Sequence, residues 1–209
     1  LQYVAKVLIC LQIGVLALIA PALTSSSIVS ERESQTLELL RLTPLRSGEV
    51  FWGKLLPPLV PGIVLVLALI PAYGAICLIN SIYLHVFYRL AGVVGMTLII
   101  CCVVGLAASA WARTSVQATL GAYVAVTTII ILPAGVWWTS GALLDPRLSG
   151  QIAQLSPLVV ALSLLPGASN DSFAVLRNHL VWMGVLAMLL LIVSRWRLGL
   201  WLNREGALR

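Results

Sequence analysis

Residues 90–112 read LAGVVGMTLIICCVVGLAASAWA and contain no charged side chain. About 20 predominantly apolar residues are enough to cross the hydrocarbon core of a bilayer as an α-helix. The whole chain is similarly apolar: 60% of its 209 residues are hydrophobic and only 10% are charged. A typical soluble domain carries about 25% charged residues. The sequence therefore predicts an all-α, polytopic transmembrane helical bundle.

Five apolar runs of this kind are separated by clusters of polar and charged residues. They predict membrane spans at about 4–23, 55–79, 90–112, 116–138 and 178–195, all within one transmembrane domain that covers residues 1–209. The second run contains Pro57, Pro58, Pro61 and Pro71. Each proline removes a backbone donor from the helix, so this run is expected to be kinked or locally broken.

A shorter apolar segment, residues 155–165, lies between the last two predicted spans. Its eleven residues are too few to cross a bilayer, and it is bracketed by Pro157, Pro166 and Gly167. We expect this segment to be a re-entrant or interfacial helix on the outer side of the membrane.

The basic residues predict orientation, because they accumulate on the cytoplasmic side of membrane proteins. If the loop 25–54 is cytoplasmic, nine basic residues lie inside and only Lys6, Arg89, Arg147 and Arg177 lie outside. We therefore attribute the net charge of +6 to basic residues that set the orientation in the membrane, and not to a nucleic-acid-binding surface. We expect a cytoplasmic C-terminal tail and an outer N-terminus. Because the chain opens without Met, we also expect it to be a piece of a longer protein with an upstream span.

One charged segment, residues 30–43, lies in the cytoplasmic loop between the first two predicted spans. Ser30 and Glu33 have the spacing of a capping box, and acidic residues in a first turn favour the helix dipole. Thr43-Pro44 discourages further helix. We interpret the segment as a short amphipathic helix that lies across the inner face of the membrane. An ordinary solvated loop helix is the alternative.

Several fragments of this loop resemble the signature of ATP-binding-cassette (ABC) type-2 exporter permeases. They are Glu31-Arg32-Glu33, Thr36-Leu37-Glu38-Leu39-Leu40, Thr43-Pro44-Leu45 and Gly53-Lys54-Leu55. Downstream, residues 105–114 resemble a connection between two spans of that family, and Ser156-Pro157 with Ala161-Leu162 resembles its outer re-entrant segment. The resemblance covers essentially the whole chain, although the first span of the family is missing. Gln35 stands where the family usually has Gly, which permits backbone conformations that Gln does not.

The resemblance implies that residues 30–43 form the coupling helix, which docks in a cleft of a separate cassette ATPase. The docking residues that it implies are Glu31, Arg32, Glu33, Thr36, Leu37, Glu38, Leu40, Thr43 and Pro44. It also implies a second permease protomer and alternating access driven by ATP hydrolysis. No cofactor is expected on this chain, since ATP and magnesium would bind the partner ATPase. The expected location is the bacterial inner membrane.

The residues themselves give no sign of an ATP-binding or catalytic site. Residues 48–54 match most of a phosphate-binding loop, but Leu55 replaces the hydroxyl residue that would hold magnesium. His85 and His179 do not stand at the spacing of a metal site. The four cysteines lie in apolar runs, where free cysteine serves as a small hydrophobe. The sequence therefore predicts a transport subunit rather than an enzyme.

Two other interpretations stay open: a secondary transporter or channel independent of ATP, and a non-transporting membrane scaffold. No predicted span has Asp or Glu at its centre, which weakens a proton- or ion-coupled carrier. Polar residues of the spans are candidates for a substrate path: Gln12, Tyr73, Thr97, Ser109, Gln117, Tyr123, Thr127 and Thr128. Such residues serve equally as contacts between helices. Amphipathic drugs, lipids and glycolipids all stay open as substrates.

Overall fold

The computed structural model describes residues 2–34, 47–68, 70–71, 74–75, 84–143, 145–165 and 172–204. All regular structure in these ranges is helical, which confirms the predicted fold class. The helices are α1 (Gln2–Ser25), α2 (Val29–Glu33), α3 (Ser47–Ala68), α4 (Leu84–Trp111), α5 (Ser115–Leu143), α6 (Pro146–Ala153), α7 (Pro157–Ser163) and α8 (Ser172–Arg204).

Four helical segments in the described part of the chain are long and apolar enough to cross a membrane. They are Tyr3–Glu31, His85–Trp111, Ser115–Thr139 and Phe173–Arg197, at the first, third, fourth and fifth predicted spans. The helices extend beyond the apolar runs, and α8 begins at Ser172 rather than near residue 178. Backbone hydrogen bonding does not stop where the hydrocarbon core ends, so polarity alone places these boundaries too far inward.

The second predicted span, 55–79, is described only in part. Helix α3 already begins at Ser47, and its apolar part, Leu56–Ala68, is shorter than the other candidate spans. Residues 69, 72–73 and 76–79 lie outside the described residues, so a fifth span stays a prediction. The expected local break is not found at Pro57, Pro58 or Pro61, because α3 continues through all three. Its packing against α1 and α4 supports the helix there.

Helix α4 lies at the centre of the bundle. It packs against α1, α3, α5, α7 and α8, and 67% of its apolar window is buried, against 22% for α5 and 17% for α8. Its residue Leu98 belongs to one core cluster with Leu16 of α1 and Met183 of α8. Nearer its start, Val93 belongs to a second cluster with Ile9 of α1. Helices α5 and α8 therefore carry most of their apolar surface on the outside of the described bundle.

Gly105 permits the closest approach of α4 to α1. A Cβ atom at this position would lie 3.0 Å from the Cβ of Thr24 and 3.3 Å from the Cα of Pro21. The hydroxyl of Thr24 is fixed in the same place, because it donates to the carbonyl of Ala20 at 2.9 Å. Only a residue without a side chain fits between these helices.

The short helices α6 and α7 are attached to two of the candidate spans. Ser156 Oγ donates to the carbonyl of Ile130 in α5 at 2.8 Å, and His179 Nδ1 of α8 lies 2.7 Å from the carbonyl oxygen of Gln154. The seven residues of α7 cover about 10 Å at about 1.5 Å per residue, which is far less than a hydrocarbon core of about 30 Å. Entry of the predicted segment 155–165 into the outer leaflet stays a prediction.

The orientation predicted from the basic residues can be tested by labelling from one side. Ser34 and Gln151 are both exposed, and the predicted topology puts them on opposite sides of the membrane. In a background without the native cysteines, Ser34→Cys should react with an impermeant thiol reagent only after cells are opened, whereas Gln151→Cys should react in intact cells. Labelling of Ser34→Cys from outside would overturn the predicted orientation.

Candidate functional site

The run Thr24-Ser-Ser-Ser27 contains the end of α1 and the turn that follows it. Ser27 Oγ donates to the carbonyl of Thr24 at 2.8 Å, and the amide of Ser30 donates to the carbonyl of Ser26 at 2.9 Å. Short hydroxyl side chains can satisfy backbone groups locally in this way, which favours a turn over a continuing helix. The turn 26–28 joins α1 directly to α2, so the start of the predicted coupling segment is an extension of a membrane span.

Ser109 of α4 caps the start of α2 across the bundle. Its hydroxyl oxygen accepts hydrogen bonds from the amides of Ile28 at 3.0 Å and Val29 at 3.1 Å. The first amides of a helix have no partner within the helix, so an oxygen placed there stabilises its start. The predicted capping box of Ser30 and Glu33 is therefore wrong: α2 begins at Val29, and the capping oxygen comes from a residue about 80 positions away in sequence.

The carboxylate of Glu33 reaches the start of α5 instead. Its Oε1 accepts a hydrogen bond from the amide of Ser115 at 2.9 Å, and its Oε2 accepts a second from the Ser115 hydroxyl. The positive end of the α5 dipole also favours an anion at this place. The hydroxyl hydrogen bond and then the amide hydrogen bond lower the pKa of the Glu33 carboxyl. Glu33 is therefore ionised at neutral pH and accepts both hydrogen bonds from Ser115. The contact weakens only as the pH falls through this lowered pKa.

These two contacts fasten α2 to the bundle. Ser109 holds the first turn of α2 against α4, and Glu33 holds the last residue of α2 against α5. A further hydrogen bond joins Ser25 Oγ at the end of α1 to Thr119 Oγ1 of α5 at 3.0 Å. The segment is thus connected to three candidate spans within a few residues.

The structure describes only part of the predicted docking surface. Glu31 is half-buried, Glu33 is exposed, and Arg32 lies between them in α2. The remaining predicted docking residues lie outside the described residues: Thr36, Leu37, Glu38, Leu40, Thr43 and Pro44.

The polar residues predicted for a substrate path serve mostly as contacts within and between helices. Thr97 Oγ1 donates to the carbonyl of Val93 at 2.7 Å, Thr128 Oγ1 donates to that of Val124 at 2.7 Å, and Tyr123 donates to that of Leu18 in α1 at 2.8 Å. Ser109 caps α2, as described above. Gln12 is buried, and its Oε1 has no hydrogen-bond partner among the described residues. Thr127 is exposed, and Tyr73 lies outside the described residues.

Gln117 belongs to a cavity of about 530 Å³ between α4, α5 and α8. Small side chains of α4 and α5 create the space, and most of the lining is apolar. The lining residues are Val104, Ala107, Ala108, Trp111, Ala112, Gln117, Gly121, Ala125, Ile129, Leu186, Leu190, Val193 and Ser194. The cavity is not predicted by the sequence, apart from Gln117. Its only sequence signal is the density of Ala and Gly on two neighbouring spans.

The end of the cavity near Ala112 carries an aromatic residue and a cation. The guanidinium carbon of Arg197 lies 5.1 Å from the ring centroid of Trp111, a cation–π arrangement. Within the described ranges, no group of three or more His, Cys, Asp or Glu residues could hold a metal ion. In the described residues, the anchored helix α2 and the apolar cavity lie at the same end of the bundle.

One of two comparisons with known proteins gave a match. A comparison with curated proteins gave no match. The family model described as ABC-2 type transporter matches residues 2–168, which include the first four predicted spans, the predicted coupling segment and α7. The chain therefore belongs to the ABC-2 type transporter family and is a multi-pass membrane permease.

Proposed function

We propose that this permease exports its substrate by alternating access, driven by ATP hydrolysis on a separate cassette ATPase. Permeases of this family generally work with an ATPase partner. The observation that carries the proposal is the double attachment of α2, through Ser109 to α4 and through Glu33 to α5. A partner that moves α2 would move both helices, because the contacts are short and direct.

The docking surface would combine the charged residues Glu31, Arg32 and Glu33 with the rest of the coupling segment, namely Thr36, Leu37, Glu38, Leu40, Thr43 and Pro44. ATP and magnesium would bind on the partner. Two permease protomers would pair, each with one ATPase, in a bacterial inner membrane with the C-terminal tail in the cytoplasm. Closing of the ATPase pair would then bring the two α2 segments together and change the access of the substrate cavity between the protomers.

Docking can be tested by reversing the charge of Glu31. An interface charge that meets a like charge costs affinity, so Glu31→Lys should reduce co-purification of the ATPase while membrane insertion stays normal. Glu205→Lys in the tail makes the same charge change outside the proposed surface and should leave co-purification unchanged. Equal recovery of the ATPase with both variants would mean that α2 does not contribute to docking.

Reconstitution distinguishes the proposal from its alternatives. Vesicles that contain the permease and its ATPase should transport only when ATP is supplied. Transport driven by an ion gradient alone would identify a secondary transporter or channel. A lack of transport under both conditions would favour a scaffold.

A further inference from the structure

We propose that the cavity between α4, α5 and α8 binds an anionic phospholipid, with an acyl chain inside the cavity and the phosphate group at Arg197. The cavity lies where three candidate spans end or begin. Trp111 ends one, Ser115 begins the next, and Arg197 ends the last. Tryptophan and basic residues at this depth are typical of the boundary between hydrocarbon and headgroups. One end of the cavity is therefore at headgroup level.

The cavity is about as long as one leaflet of the hydrocarbon core is thick. Helix α5 contributes Gln117, Gly121, Ala125 and Ile129, one residue for each turn. From Gln117 to Ile129 the helix rises about 18 Å at about 1.5 Å per residue. One leaflet occupies about 15 Å, half of a hydrocarbon core of about 30 Å. An acyl chain that starts at the headgroup level would thus lie against the cavity wall over most of its length.

The walls of the cavity suit an acyl chain rather than a polar ligand. Ala107, Ala108, Leu190 and Val193 offer no hydrogen-bonding side chain. The hydroxyl of Ser194 is already satisfied, because it donates to the carbonyl of Leu190 at 2.6 Å. The volume of about 530 Å³ lies within the range of about 300–1,000 Å³ that is common for small-molecule sites.

The positive charge at the headgroup end of the cavity favours a lipid with a negatively charged headgroup. The guanidinium of Arg197 stacks on Trp111, and its Nε atom is buried with no hydrogen-bond partner among the described residues. Basic groups between membrane helices on the cytoplasmic side favour anionic headgroups. A phosphate oxygen would supply the acceptor that the Arg197 Nε–H can use.

The test compares phosphatidylglycerol with phosphatidylcholine of the same acyl chains. Purified protein in a mild detergent is equilibrated with equal amounts of both lipids, and bound lipid is counted by native mass spectrometry. Wild type should retain the anionic lipid about fivefold more than the neutral one, the preference expected from a single basic residue near the membrane surface. Arg197→Gln should bring this preference close to one.

A second variant fills the cavity without removing charge. Nothing lies within 4 Å of a Cβ atom built on Gly121, so Gly121→Leu should fold normally and reduce retention of both lipids. Gly135→Leu is the matched control, because Gly135 is on the same helix, is equally open and does not line the cavity. Arg195→Gln removes the same charge as Arg197→Gln two residues away. Both controls should bind lipid as wild type does.

The proposal is overturned if wild type retains neither lipid, if it retains both equally, or if Arg197→Gln and Gly121→Leu bind as wild type does. Gel filtration and circular dichroism establish that each variant is folded. Arg197→Gln removes the charge and Gly121→Leu fills the cavity. If one of the two variants misfolds, the other still tests the proposal. The proposal requires only that the chain is inserted in a membrane. Its failure would therefore leave the proposed coupling to an ATPase standing.

Discussion

Replacing Gly105 by alanine is expected to lower the free energy of unfolding of the bundle by about 1–3 kcal/mol, the usual cost of forcing extra atoms into a packed core. The new methyl group would overlap the Thr24 side chain and press against the Cα of Pro21. The backbone of α1 cannot move away without disturbing the turn that leads into α2. Thermal unfolding in detergent, followed by circular dichroism, measures the loss.

Gly95→Ala is the matched control for this prediction. Gly95 lies on the same helix, but nothing lies within 4 Å of a Cβ atom built there. Alanine is better than glycine in a helix by about 0.5–1 kcal/mol, so this variant should be as stable as wild type or slightly more stable. If both variants unfold at the same temperature, the close approach of α1 and α4 at Gly105 does not occur.

Replacing Glu33 by glutamine is expected to separate ATP hydrolysis from transport. The amide side chain keeps the size of Glu33 but has no charge and only one acceptor oxygen, so it cannot accept both hydrogen bonds from Ser115. Under the proposed function, the ATPase would still dock through the rest of the coupling segment and hydrolyse ATP, but movement of α2 would reach α5 less well. We expect transport per ATP hydrolysed to fall by about fivefold or more, the lower end of typical coupling between distant sites.

Two further variants show whether the loss depends on the contact or only on charge. Ser115→Ala should reduce coupling in the same direction but by less, because it removes the hydroxyl donor and leaves the backbone amide that donates to Glu33. The double variant should lose less than the sum of the two single losses, because both changes weaken one interaction. Glu31→Gln removes an equal charge from α2 without touching Ser115 and should keep coupling near wild type. Additive losses in the double variant would show that Glu33 and Ser115 act independently.

The positions of the long helices follow from the sequence for a simple physical reason. A bilayer requires about 20 apolar residues for each crossing, and four of the predicted runs are candidate spans in the structure. Their ends are less predictable, since a helix continues into the interface without a change in its own hydrogen bonding. Helix α4 begins at Leu84, although its apolar run begins near Leu90.

The contacts of the candidate site could not be read from local pattern. Ser30 and Glu33 have the spacing of a capping box, but Ser109 caps the amides of Ile28 and Val29 instead, and Ser115 binds the Glu33 carboxylate. Nothing near Ser109 in sequence indicates that it caps a helix on the far side of a turn. The cavity likewise depends on how α4, α5 and α8 diverge, and small residues such as Gly121 also occur where helices pack closely.

The attachments of α6 and α7 restrict how the bundle can open. Helices α5 and α8 make little direct contact in the described part of the chain, and the cavity separates them at the Trp111 end. At the opposite end they are joined indirectly, because the segment around α7 bonds to Ile130 of α5 and to His179 of α8. The two helices can therefore spread at the Trp111 end and stay fixed at the other. The region of Gln154–Ser156 would act as the pivot of such a movement, and any opening between α5 and α8 would be a wedge that narrows toward it.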